Sequence, residues 1–198
     1  MKLTKLLERV EYECINGSVD VEVADLVNDS RKAKEGSLFF CIKGAVSDGH
    51  KYAADVIAKG AKVLVVQDEV EALKDVTVIK VADSRYAMAM ISAAYFDYPA
   101  EKMKVIGITG TKGKTTYMIK SILEETGHKV GLIGTIEAII GEEHIPAANT
   151  TPESYTVQSY FDRMVKAGCD CVVMEVSSQG LMLHRTAGIP FEIGIFTN

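Results

Sequence analysis

The segment best suited to hold phosphate runs Val105-Ile-Gly-Ile-Thr-Gly-Thr-Lys-Gly-Lys-Thr-Thr116. An apolar strand enters a glycine-rich turn, and a helix starts at the Lys-Thr. Gly110 and Gly113 let the backbone turn tightly and approach a ligand closely. Successive N–H groups then face one concavity, and the helix N-terminus adds about half a positive charge. Lys114 brings a full charge to the β- and γ-phosphates, and the Thr115 hydroxyl can reach a magnesium ion. Thr111, Lys112 and Thr116 complete the loop. The common nucleotide pattern has a glycine five positions before that of its Gly-Lys pair. Here Ile108 holds that position, so the loop is a G-x-x-G-K-T variant.

Such a loop needs a metal-positioning carboxylate at the end of a neighbouring strand. Glu175 closes the apolar run Cys171-Val-Val-Met-Glu175, which predicts its emergence at the carboxyl edge of a sheet, where ligands bind in open α/β folds. Lys114 and Glu175 are the candidate catalytic residues, and Thr115 and Glu175 the candidate metal holders. Asn149-Thr150-Thr151-Pro152 collects hydrogen-bonding side chains before a helix start, with capping as the plainer reading. His184-Arg185 is a candidate anion contact or a surface pair. The histidines, His50, His128, His144 and His184, lack metal-ligand spacing along the chain.

The elements that must position these groups alternate. Lys104–Thr109, Lys129–Ile133, Asp170–Val176 and Phe191–Thr197 read as strands, the last as a buried one. Lys114–Thr126 reads as a helix ending at Gly127. Thr135–Ile145 has the look of a hairpin around Gly141-Glu142. Pro152–Ala167 reads as a helix, with Thr151 as N-cap and Pro152 at its first position. The series predicts a mostly parallel sheet covered by helices. Ahead of Asp97-Tyr98-Pro99-Ala100, Ser37–Ile42, Lys62–Val66 and Val76–Val81 read as strands, and Tyr52–Lys59 and Arg85–Phe96 as helices. The expected fold is α/β in two parts, residues 1–98 and 99–198.

Composition narrows the classes. A chain of 198 residues with 47% hydrophobic and 25% charged residues is an ordinary globular protein, neither disordered nor fibrous. A net charge of −5 argues against a nucleic-acid backbone as partner. No apolar run approaches the roughly 20 residues of a membrane helix, and the N-terminus lacks the form of a signal peptide. Cys14, Cys41, Cys169 and Cys171 show no zinc or redox spacing, which fits a reducing cytoplasm. Cys169 and Cys171 are expected to share one face of an extended segment as packing residues.

These motifs resemble those of the Mur ligases, ATP-dependent enzymes of peptidoglycan precursor synthesis. Gly110-Thr-Lys-Gly-Lys-Thr-Thr116 is similar to their GTNGKTT loop, with Lys112 in place of Asn. Asp29-Ser-Arg, Gly36-Ser-Leu-Phe-Phe, Gly44, Asp48-Gly-His and Ala58-Lys-Gly-Ala61 resemble the N-terminal domain of the MurE and MurF types. Asn149-Thr-Thr-Pro, Glu175-Val-Ser-Ser-Gln-Gly-Leu181 and His184-Arg185 favour the MurE type. The resemblance implies a UDP-sugar-binding domain and the first part of a P-loop-type central domain, truncated after the strand ending Phe-Thr-Asn198. It implies ATP and Mg2+, with the loop residues Gly110 to Thr116 on ATP. The substrate it implies is UDP-N-acetylmuramoyl-L-alanyl-D-glutamate, and the incoming amine a diamino acid, L-lysine or meso-diaminopimelate. Ser30, Ala45, Val46 and Ser47 would serve the UDP part. Asn149, Thr150, Thr151, Ser177 and Arg185 would hold the rest of the sugar-peptide. On this resemblance the chain alone is not expected to form the amide bond. A nucleotide-binding module without ligase chemistry and a folate-type polyglutamate ligase are the alternatives; the Asp-Ser-Arg domain disfavours the second.

Overall fold

Short β-branched runs separated by glycine and acidic turns become two α/β units in the computed structural model, which describes residues 1–44, 47–71, 74–110 and 114–197. The units are Met1–Tyr95 and Phe96–Asn198.

The first unit holds α1 (Leu3–Leu6), β1 (Glu13–Asn16), β2 (Asp25–Val27), β3 (Ser37–Phe40), α2 (Ala53–Ala58), β4 (Val63–Val66), β5 (Thr77–Lys80) and α3 (Ser84–Tyr95). Its sheet runs β1-β5-β4-β3-β2, parallel except for the antiparallel β1. The four residues of β4, Val63-Leu-Val-Val66, are all buried, as a strand covered on both faces must be. Phe39, Leu64, Val66 and Val78 pack with Ala53 and Val56 of α2 on one face. The helix expected from Tyr52 is two pieces: a 3-10 turn over Gly49–Tyr52, capped by the Asp48 side chain, and then α2.

The second unit holds β6 (Lys104–Thr109), α4 (Lys114–Glu125), β7 (Val130–Ile133), β8 (Glu137–Ile140), β9 (Glu143–Pro146), α5 (Ser154–Lys166), β10 (Cys171–Glu175), α6 (Ser178–Met182) and β11 (Phe191–Phe196). The order is β11-β6-β10-β7-β8-β9. The first four neighbours are parallel, and β8 and β9 form the antiparallel hairpin. Phe161, Met164 and Val157 of α5 pack with Val105, Val172 and Met174 on one face of the sheet. Ile119 and Leu123 of α4 pack with Ile106, Ile108 and Val173 on the other. Gly107 is needed where β6 meets β11, because a Cβ there would lie 2.7 Å from the Phe191 ring.

Three expectations are corrected. α5 starts at Ser154 with Glu153 at its N-cap, so Thr151 is not the cap and Pro152 precedes the helix. Cys169 and Cys171 fall in different core clusters, on opposite sides of the sheet. Gly168, at φ +82°, still belongs to the turn, and the strand alternation starts only at Cys171. β11 is largely exposed rather than buried, with Phe196 78% exposed.

Candidate functional site

β6 ends at Thr109 and the chain turns at Gly110, whose φ of +142° suits a residue without a Cβ. α4 then begins at Lys114. Strand, turn and helix thus stand in the expected order, and Lys114 is exposed at the helix start. Thr111, Lys112 and Gly113 lie outside the described residues, as do Ala45 and Val46.

Glu175 ends β10, which lies beside β6 with Glu175 opposite Ile108. Its side chain is 9% exposed. The two carboxylate oxygens take hydroxyl donors from different elements. Thr116 Oγ1, fully buried in the first turn of α4, donates to Oε1 at 3.4 Å. Thr135 Oγ1, in the turn after β7, donates to Oε2 at 2.6 Å. Thr115 is the residue expected to share a metal with Glu175; the loop-side hydroxyl bonded to the carboxylate itself is that of Thr116. Gly134 makes room for this arrangement, since a Cβ there would lie 2.8 Å from Oε1. A carboxylate ringed by hydroxyls at the end of a phosphate-type loop is an all-oxygen donor set, which fits a hard cation such as Mg2+.

The Asn149–Thr151 segment reaches Glu175 through the Thr135 hydroxyl and through the Glu175 backbone carbonyl. Thr150 Oγ1 is 3.0 Å from Thr135 Oγ1. Thr151 Oγ1 donates to the Glu175 carbonyl at 3.0 Å and accepts from the Ser177 N–H at 2.9 Å. Ser177 caps α6, accepting from the Gly180 N–H. A Cβ at Gly180 would lie 2.9 Å from Thr151 Cβ, so the cap sits hard against that threonine. Arg185 donates to the Thr151 carbonyl at 2.9 Å and to Glu153 Oε1 at 2.5 Å. It is therefore no free surface cation. Asn149 is exposed and lines a small cavity of ≈ 170 Å3 with Ile133, Pro152 and Tyr160.

Beside this cluster, Tyr117 of α4 donates to Glu137 Oε1 at 2.9 Å, and His144 Nδ1 meets Glu137 Oε2 at 2.8 Å. Burial first, then Glu137 and Glu175, pushes the Tyr117 phenol up to about 12 from its ordinary 10.0. Its folded value lies above its unfolded one, so its contribution is whole below pH 10.0 and is lost as pH climbs towards about 12. We expect Tyr117→Phe to flatten that alkaline loss in urea-unfolding midpoints; an unchanged slope would contradict the assignment.

In the first unit, a cleft of ≈ 440 Å3 is lined by residues that include Asp29, Ser30, Phe39, Ser47 and Tyr52. It brings together Ser30 and Ser47, two residues read from sequence as UDP contacts. Asp29 fixes the loop: it accepts from the Arg31 side chain and backbone, which holds its carboxyl down at about 2. His50, next to the lining residue Gly49, ties its own loop to the segment after β4. Its Nδ1 meets Asp48 Oδ1 at 2.6 Å, and its Nε2 accepts from the Gln67 and Asp68 N–H groups at 3.2 Å each. Both ring nitrogens are thus taken, although Asp48, His50 and Asp68 lie close enough to suggest a metal group. His128, Asp170 and Cys171 also converge. There Asp170 bonds His128, and burial raises the Cys171 thiol, keeping it protonated.

The second unit therefore defines a class: a parallel α/β sheet with a phosphate-type loop and an acidic partner on the adjacent strand. The Mur ligase middle domain matches residues 108–198, and the catalytic domain of the Mur ligase family matches residues 22–96. The chain belongs to the Mur ligase family. It is 50% identical over its whole length to a UDP-N-acetylmuramoyl-L-alanyl-D-glutamate–2,6-diaminopimelate ligase of Clostridium perfringens, covering 41% of that protein. It is 52% identical to ligase 1 of the same name from Clostridium acetobutylicum, covering 42% of it. A solved structure of a UDP-N-acetylmuramoyl-L-alanyl-D-glutamate–2,6-diaminopimelate ligase superposes over the whole chain with a TM-score of 0.80 at 21% identity, covering 40% of that chain. The chain thus spans about two fifths of the length of these relatives. No described helix is long and apolar enough to cross a membrane.

Proposed function

We propose that this chain supplies the UDP-sugar-binding and nucleotide-binding parts of a MurE-type ligase. That enzyme adds a diamino acid to UDP-N-acetylmuramoyl-L-alanyl-D-glutamate at the expense of ATP. The observation that carries the reading is the junction at Glu175, whose carboxylate takes the Thr116 and Thr135 hydroxyls and whose backbone carbonyl takes that of Thr151. The names of the clostridial relatives favour 2,6-diaminopimelate over L-lysine as the amine.

A carboxylate is a poor electrophile. Transfer of the γ-phosphoryl group of ATP to the free carboxylate of the D-glutamate residue gives an acyl phosphate and ADP. The amine of the diamino acid then attacks the acyl carbon, and phosphate leaves with the C–O bond pair as the amide forms. In this proposal Gly110 and Lys114 of the loop hold the phosphates. Glu175, with Thr115 or Thr116, would hold Mg2+, which when bound offsets phosphate charge. Thr150, Thr151, Ser177 and Arg185 hold or shape the sugar-peptide region, and the Ser30–Ser47 cleft takes the UDP part.

Calorimetric titration of the chain with the UDP-muramoyl dipeptide tests the reading: heat of binding is expected, and a chain that binds nucleotide alone would favour the bare nucleotide module. Ser30→Ala removes one neutral hydrogen bond, worth about 0.5–1.5 kcal/mol. It is expected to weaken the UDP-muramoyl dipeptide roughly two- to tenfold, at about 1.4 kcal/mol per factor of ten, with ADP affinity unchanged. Equal losses for both ligands would sink the assignment of the first unit.

A further inference from the structure

We infer that Thr135 is a positioning residue that relays the state of the Glu175 carboxylate to Thr150, coupling the nucleotide side of the site to the substrate side; the inference rests on the function proposed above. Thr135 belongs to none of the motifs that point to the family.

The direction of its bonds follows from proton counting. A hydroxyl has one proton to give and lone pairs to accept with. Thr135 Oγ1 lies 2.6 Å from Glu175 Oε2, where the carboxylate oxygen accepts and the threonine donates. That commits its proton. At the 3.0 Å contact with Thr150 Oγ1, Thr135 must then accept and Thr150 must donate. The chain runs Thr150 O–H to Thr135 O–H to Glu175 Oε2. Thr150 consequently presents only lone pairs to a ligand and selects a donor, such as an amide N–H or a sugar hydroxyl. A cation drawn to Glu175 weakens Oε2 as an acceptor and frees the Thr135 proton to turn. The donor at Thr150 is then released, and the hydroxyl offered to the substrate changes character.

The turn that carries Thr135 is held from three sides. The Gly134 N–H donates to the Glu137 carbonyl at 3.0 Å, and the Ala147 N–H to the Ile136 carbonyl at 3.0 Å. The Glu137 carboxylate is bound by Tyr117 of α4 and by His144 of β9. Tyr117 follows Thr116, the other donor to Glu175, so the first turn of α4 grips both the carboxylate and the turn bearing Thr135. With Gly134 lacking a Cβ, the Thr135 hydroxyl is seated between two groups of different duty.

The test uses the chain with threonine γ2-methyl groups isotope-labelled, and Mg2+–ADP as the probe. In the wild type, Mg2+–ADP is expected to shift the methyl resonances of Thr115, Thr116 and Thr150. Thr135→Val keeps the shape and removes the hydroxyl; it should abolish the Thr150 shift while those of Thr115 and Thr116 persist. Thr135→Ser restores the hydroxyl and should restore the Thr150 shift, which a merely structural role would not require. If Thr150 still moves in Thr135→Val, or stays still in the wild type while Thr115 and Thr116 move, the relay is overturned and the nucleotide reading stands. If no resonance moves in the wild type, the nucleotide reading falls and the relay with it.

Discussion

Lys114→Ala is expected to weaken Mg2+–ATP and Mg2+–ADP binding by at least about thirtyfold. Truncating one partner of a hydrogen-bonded charge pair costs about 2–5 kcal/mol, and about 1.4 kcal/mol is a factor of ten. The side chain stands exposed at the start of α4. Its removal therefore costs little packing, and the thermal midpoint without ligand should stay within about a degree or two, as for a surface substitution of ±0.5 kcal/mol. Binding of the UDP-muramoyl dipeptide to the Ser30–Ser47 cleft should be unchanged. Lys114→Arg is expected to recover only part of the loss, because a planar fork does not replace a compact ammonium charge among phosphate oxygens. Calorimetry with ADP and excess Mg2+ reads all of these, and unchanged affinity in Lys114→Ala would remove the phosphate-loop reading altogether.

Local chemistry made much of this site legible in sequence. β6 has its expected bounds, Lys104–Thr109, because a glycine turn stops the apolar run. Glu175 could be placed because an acidic residue closing a buried parallel strand must leave at the carboxyl edge. The hairpin around Gly141 was visible for the same reason, with Gly141 at φ +60°. Apart from the turn at Gly168 and the 3-10 start before α2, the misses are long-range. Thr151 before Pro152 has the local form of a cap, but its hydroxyl is used across the sheet edge, on the Glu175 carbonyl and the Ser177 N–H. Thr135 carried one usable signal: it follows β7 and Gly134 at the same carboxyl edge, so the rule that located Glu175 also reaches it. The Tyr117–Glu137–His144 contacts join α4, β8 and β9, and no spacing along the chain announces them. β11 looked buried because its residues are apolar, yet sequence states composition and not which face has a neighbour.

Arg185→Ala is expected to destabilise the second unit by about 2–3 kcal/mol, below the roughly 3–5 kcal/mol for removing one member of a fully buried ion pair, since Glu153 is partly exposed. The Arg185 side chain is 12% exposed and that of Glu153 33%. The arginine ties the Thr151 carbonyl to the Glu153 carboxylate at the start of α5. Most of the cost should come from the carboxylate left behind, so Arg185→Met with Glu153→Gln should regain most of the loss, because replacing both members of such a pair can be close to neutral. Binding of the UDP-muramoyl dipeptide should not return with stability. The Arg185 Nε is buried without a hydrogen-bond partner among the described residues, a donor that methionine cannot supply. Urea unfolding and calorimetry on the wild type and these two variants separate the two effects. Recovery of affinity in the double variant would mean that the dipeptide needs neither a direct contact with Arg185 nor its bond to the Thr151 carbonyl. Stability unaltered in Arg185→Ala would mean that the pair does not anchor the segment before α5.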